Sequence, residues 1–217
     1  MAAKTRAVAQ RLVRDAPLRD LVIRCAGTFL NMVLAIFNLL IACGNNSLWN
    51  YAMAGYFAVL TFMGSCVAVC MKRPGQQPIR RVFRVSAVFL CALAVAFGML
   101  MGVCISQRHS ERLPQIFMIL MAAFTFATTG MAVVDVVRIR NGSPLQQVIA
   151  HVNIAGAVGA LLVLEIQMLG TFGNPAGQLA FVIEAISGAV AVLIVFLMGC
   201  SLFWRANALG RQSANAR

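Results

Sequence analysis

The sequence predicts an all-α fold: a polytopic membrane bundle of six transmembrane helices arranged as three hairpins, with both termini cytoplasmic. Three observations predict it. The chain has 217 residues, of which 61% are hydrophobic and 11% charged, whereas an ordinary soluble domain carries about 25% charged residues. The apolar residues come in six blocks, at 21–43, 48–71, 82–106, 114–137, 145–170 and 176–204, each long enough for the ~20 residues that cross a ~30 Å hydrocarbon core. The basic residues fall almost wholly on one side. Sixteen of the 18 Lys and Arg lie in or beside the two tails and the 72–84 and 138–140 connections; the other two are Arg108 and Arg112. Positive charge collects on the cytoplasmic side, and an even number of spans returns the chain there. The expected location is a bacterial cytoplasmic (inner) membrane.

Taken in order, residues 1–20 form a basic cytoplasmic tail in which Val8, Leu12 and Val13 can line one side of a short interfacial helix ended by Pro17. The transmembrane domain covers 21–205 and a second cytoplasmic tail 206–217. The connections on the outer side are short: GNNS at 44–47, SQRHSERL at 106–113 and GTFGNPAG at 170–177. The inner ones, KRPGQQPIRR at 72–81 and RIRNGSP at 138–144, each contain Gly and Pro, which favour turns. Each half of such a chain has an odd number of spans, so a three-plus-three inverted repeat is topologically permitted, although no repeat is visible in the residues themselves. LIACG at 40–44 has the form of a lipoprotein cleavage box around Cys43. The run before it exceeds the ~7–15 residues of a secretory core, so the first span is expected to remain uncleaved.

The first span carries a polar group every second turn. Arg24, Thr28, Asn31, Ala35, Asn38, Ala42 and Asn45 make one stripe of small and polar residues within roughly 100° of arc. Helix interfaces in membranes favour small and amide side chains, so this stripe predicts the face that packs inside the bundle, with Asn31 and Asn38 at a helix interface or lining a polar cavity. The fourth span repeats the pattern with Thr125, Thr128, Ala132 and Asp135. Asp135 sits near the cytoplasmic end, where it reads as a solvated carboxylate beside Arg138 or as one half of an ion pair with Arg24. In the fifth span His151, Asn153 and Gln167 join the polar set, and AGAVGA at 155–160 permits close helix approach.

Glu165 and Glu184 are the acidic residues well within the spans, and they lie symmetrically about the 170–177 turn. In an antiparallel hairpin such residues share one depth, so the two can face each other. An ionisable group costs ~2.5–3.5 kcal/mol at the centre of a spanning helix and marks a functional site by default. Glu165 and Glu184 are therefore the candidate ion- or proton-binding residues. The competing expectation is that each carboxylate separately meets an amide (Gln167, Gln178 or Asn38 across the bundle) or reaches the outer interface.

Other classes find little support. The net charge of +12 is placed as a topology signal and a contact with anionic headgroups, each Lys or Arg near the surface contributing ~1 kcal/mol; no nucleic-acid partner is expected. No HExxH, GxSxG, Walker or GxGxxG motif occurs, so no catalytic residues, no enzyme activity and no cofactor are expected. The seven cysteines lie in or at the ends of spans and read as free thiols packed as small hydrophobes. Cys66 and Cys70 share a helix face but lack further ligands, so no metal is expected. Cys43 and Cys104 both fall near the outer face, where a bridge needs their helices to touch.

FNLLIACGNNSLWNYAMAGYFAVL and GSPLQQVIAHVNIAGAVGALLVLEIQMLGTFG resemble stretches of uncharacterised six-span bacterial integral membrane proteins of about this length. The resemblance implies that Asn31, Asn38, Tyr56, Asn153, Gln167 and the 171–173 TFG belong to a shared pattern, and it carries no established activity. Length and span number are also similar to the substrate-binding subunits of vitamin transporters, an analogy of architecture alone. The leading expectation is a small transporter or permease-type subunit with an ion- or proton-linked polar site. The alternative is a non-transporting interaction or sensor protein acting through its basic cytoplasmic loops, with a membrane-protein partner or a second copy of itself.

Overall fold

The computed structural model describes the backbone of residues 16–72, 79–107, 115–139, 144–172 and 178–215, and side chains within 26–70, 79–102, 116–137, 144–172 and 181–209. Six helices account for it: α1 (Ala16–Asn45), α2 (Leu48–Lys72), α3 (Ile79–Gln107), α4 (Gln115–Ile139), α5 (Pro144–Phe172) and α6 (Gln178–Asn215). All six contain segments long and apolar enough to cross a bilayer, so the chain is that of a multipass membrane protein. Pro17 lies within α1 as described from Ala16, near the described start of that helix. α6 runs on past Arg205 to Asn215, so most of the expected C-terminal tail is helix. The interfacial helix expected over residues 8–13 lies outside the described residues.

The turn between α1 and α2 is tightly built. Asn46 adopts a left-handed conformation with φ 50°, and Ser47 N–H donates to Ala42 O at 3.2 Å, which closes α1 with a Schellman motif. Ser47 then serves as the N-cap of α2: its Oγ accepts from Asn50 N at 3.3 Å and satisfies a donor that the helix start leaves open.

Packing departs from three sequential hairpins. α1 packs on α2, and α4 packs on α5, but α3 makes its main contact with α6 and none with α4 among the described residues. The reason lies in small residues. A Cβ placed on Gly199 would meet Cys91 N at 3.1 Å and Ala87 O at 3.2 Å, so α6 rests on the α3 backbone itself. Gly98 against Val192 and Gly188 against Met101 continue the antiparallel register. α4 instead presents Ile116, Ile119, Phe126, Val133 and Val137 outward, as a lipid-facing surface does.

The contacts have a near-symmetry between halves. Exchanging α1, α2 and α3 for α4, α5 and α6 maps α1–α2 onto α4–α5 and α2–α3 onto α5–α6, while α1–α4, α2–α5 and α3–α6 map onto themselves. α5 breaks it by also touching α1 and α3. Its apolar window is 72% buried against 17–44% for the others, which makes α5 the central helix.

Candidate functional site

A polar column runs along α5. At one end Asn153 Nδ2 donates to Asp135 Oδ2 of α4 at 2.6 Å. Asp135 is 6% exposed, which corrects the solvated reading: the carboxylate is buried and its observed partner is an amide. The side chain of Arg24 lies outside the described residues, and so does the proposed Arg24–Asp135 pair; the same holds for Arg138.

Asn31 and Asn153 clasp α1 to α5 reciprocally. The Asn153 amide sits over Gly27 of α1, where a Cβ would lie 2.5 Å from Oδ1, and the Asn31 amide sits in the same way over Gly156 of α5. Both asparagines are buried, and Asn31 Nδ2 and Asn153 Oδ1 have no hydrogen-bond partner among the described residues. The small-polar stripe of α1 thus faces inward as far as Ala42, whereas Asn45 is exposed and Phe29, Ile36 and Leu40 point out.

Higher along α5, Tyr56 of α2 donates its hydroxyl to Ala155 O at 2.8 Å, and Thr125 of α4 donates to Ala160 O at 3.4 Å. Thr128 is buried too, but it donates to Phe124 O at 3.0 Å and Thr125 O at 2.9 Å in its own helix, so its hydroxyl is engaged locally. At the far end Gln167 Nε2 donates to Asn50 Oδ1 at 3.3 Å, and Asn50 Nδ2 donates to the capping Ser47 Oγ at 3.0 Å. Asn38 donates to Leu34 O at 2.8 Å in its own helix, leaving Oδ1 without a partner among the described residues. Asn50 and Ser47 also hold this column and were not read as site residues from the sequence, whereas Tyr56 was named there only in the pattern that the resemblance implies. The signal of Asn50 and Ser47 was an amide or hydroxyl at the start of an otherwise apolar span.

His151 belongs to a different interface. Its Nδ1 lies 2.6 Å from Gln147 O; a carbonyl only accepts, so Nδ1 carries the proton. Nε2 faces Ser201 Oγ of α6 at 3.2 Å. The ring therefore ties α5 to α6 as a helix-interface residue.

Glu165 of α5 and Glu184 of α6 are both half-buried, and the Glu165 carboxylate acts electrostatically on Glu184. Gln167 is bonded to Asn50 and Asn38 to its own helix, so these amides are occupied elsewhere; the Gln178 side chain lies outside the described residues. Neither carboxylate has a hydrogen bond or ion pair with another described side chain.

The described thiols are unbridged, and the Cys91 thiol of α3 meets that of Cys200 on α6. Cys43, Cys66, Cys70, Cys91 and Cys200 are free, and Cys43 accepts a long contact from Tyr51 Oη at 3.7 Å. The Cys104 side chain lies outside the described residues, and with it the Cys43–Cys104 bridge. Among the described residues no three His, Cys, Asp or Glu side chains converge as a metal site would require. Comparisons with protein-family models, characterised proteins and solved structures gave no match, so the functional reading rests on the chemistry of these residues.

Proposed function

We propose that this chain is a small transporter or permease-type subunit of a bacterial inner membrane, threaded with both termini cytoplasmic, whose activity is linked to a cation or a proton. The observation that carries the reading is the Glu165/Glu184 pair. Two carboxylates in membrane-spanning helices lie within each other's field without a compensating side chain among the described residues. Such an arrangement is costly in a bilayer unless a cation or a shared proton completes it. The near-symmetry of the two three-helix halves supports a transporter-type architecture, with both glutamates in the second half. The polar column supplies a rigid neighbour on the central helix. Enzyme activity and resident cofactors form no part of the proposal.

The test is thermal stability in lipid nanodiscs against a panel of monovalent and divalent cations and against pH, for wild type, Glu165→Gln and Glu184→Gln. A ligand that binds the folded state alone stabilises it by mass action, by about 2.7 kcal/mol at one hundred times its Kd. A cation- or pH-dependent rise present in wild type and lost in both variants is the expected result. Three superimposable curves would remove the carboxylate site and turn the reading to an interaction protein working through its basic loops.

A further inference from the structure

The strongest unassigned feature is the outer face of the α3–α6 pair. Ala87, Val88, Cys91 and Val95 of α3, with Cys200 and Trp204 of α6, line an apolar groove of about 810 Å³, within the ~300–1,000 Å³ typical of small-ligand sites. Trp204 is 82% exposed at its edge. The groove does not stop at a neutral rim. Arg80 and Arg84 are exposed and lie on the same face of α3, since positions 80, 84, 88, 91 and 95 recur at helical spacing within roughly 80° of arc. Arg84 Nη2 donates to Asn207 Oδ1 of α6 at 3.3 Å, which holds the guanidinium across the gap between the two helices. From Arg84 to Val95 the α3 axis rises by about 16 Å, on the order of half a ~30 Å hydrocarbon core.

We propose that this groove is a binding site for one anionic phospholipid, its phosphate held by Arg80 and Arg84 and an acyl chain laid over Cys91 and Cys200 toward Val95. The complementarity is twofold. A free phosphate would use the arginines and leave the apolar groove idle; a zwitterionic phospholipid would fill both but bring its cationic choline or ethanolamine group up to the same two arginines, which an anionic lipid does not. Trp204 sits between the two chemistries, at the level where indole rings favour the membrane interface. Arginine suits the headgroup because its planar fork can engage two phosphate oxygens at once. The inference stands apart from the glutamate pair and survives if that reading fails.

Trp204 provides the reporter, because the other tryptophan, Trp49, is buried. The purified chain is placed in phosphatidylcholine nanodiscs containing a minor fraction of brominated phosphatidylglycerol or brominated phosphatidylcholine, and quenching of tryptophan fluorescence is measured. The expected result is a preference for the anionic lipid of roughly five- to thirty-fold, the attraction of one to two interfacial arginines. Arg80→Gln/Arg84→Gln should reduce the preference to near unity. Arg138→Gln/Arg140→Gln, which removes the same charge elsewhere, should leave it intact. Ala92→Trp, which fills an exposed part of the groove wall, should lower anionic-lipid binding with both arginines present; its quenching is read against the same variant in unbrominated discs. Wild-type quenching that ignores headgroup charge would overturn the proposal. So would equal losses in the two arginine pairs, which would show general surface attraction, or anionic-lipid quenching that persists in Trp204→Phe.

Discussion

Gly159→Ala should destabilise the bundle through one side chain, Tyr56. A Cβ at position 159 would lie 2.5 Å from Tyr56 Cε1, 3.2 Å from Cζ and 3.3 Å from Cδ1. Carbon atoms in ordinary contact stand ~3.5–4.0 Å apart, so the ring must retreat by about 1 Å. It is poorly placed to do so. Its hydroxyl is bonded to Ala155 O at 2.8 Å, and it packs against Phe97 at 5.2 Å and Phe57 at 5.4 Å between centroids. Overpacking costs ~1–3 kcal/mol and a lost hydrogen bond ~1 kcal/mol; the better helix propensity of alanine returns at most ~1 kcal/mol. The net expectation is about 1–3 kcal/mol of destabilisation. Gly55→Ala is the control, because nothing lies within 4 Å of its added Cβ; it should be neutral or stabilising by up to ~1 kcal/mol. The assay is reversible unfolding in mixed micelles with rising sodium dodecyl sulfate, followed by circular dichroism. Repeating Gly159→Ala in a Tyr56→Leu background closes a double-mutant cycle, and a coupling of at least ~1 kcal/mol should appear. An equal penalty in both backgrounds, or the same sign for Gly55 and Gly159, would refute the steric argument.

The same assay tests three further expectations. Asn153→Ala removes the observed donor to the buried Asp135 and should cost ~1.5–3 kcal/mol; Asp135→Asn should cost less, and the reverse order would show that the amide does not hold the carboxylate. Asn46→Gly should be tolerated at the left-handed turn, Asn46→Val should cost ~1–2 kcal/mol, and Ser47→Ala about 1 kcal/mol through the lost cap; equal stability for all three would argue against the Schellman closure. In cation-poor buffer at neutral pH, Glu165→Gln and Glu184→Gln should each raise thermal stability by taking one ionisable group out of the half-buried pair, with the double variant gaining little more. Additive gains would mean that the two carboxylates do not sense one another.

The candidate site was legible in proportion to how local its geometry is. The expectation that Glu165 and Glu184 lie near one another comes from counting residues either side of one turn, because antiparallel helices joined by a short link keep register. The inward face of α1 was legible because a stripe of Asn and Ala at helical spacing cannot face lipid. What the stripe meets was not legible. Gly27 under Asn153 and Gly156 under Asn31 are partners more than a hundred positions apart, and nothing in either segment names the other. Asp135 shows the same limit. Its position near a helix end suggested solvent, yet the close approach of α4 to α5 buried it against Asn153.

By itself the sequence determined that this protein has six helices long and apolar enough to cross a membrane, roughly where most of them begin and end, and which face of α1 turns inward as far as Ala42. These properties follow from hydropathy and period, which are written along one dimension. Only the tertiary structure decided that α3 pairs with α6 rather than α4, that α5 stands at the centre, and that Arg80 and Arg84 continue into an apolar groove shared with α6. Lipid tails are as apolar as the helices, so burial of apolar surface does not choose between partners within a bilayer. The choice falls to van der Waals fit, to small residues such as Gly199 that let backbones touch, and to hydrogen bonds between distant side chains.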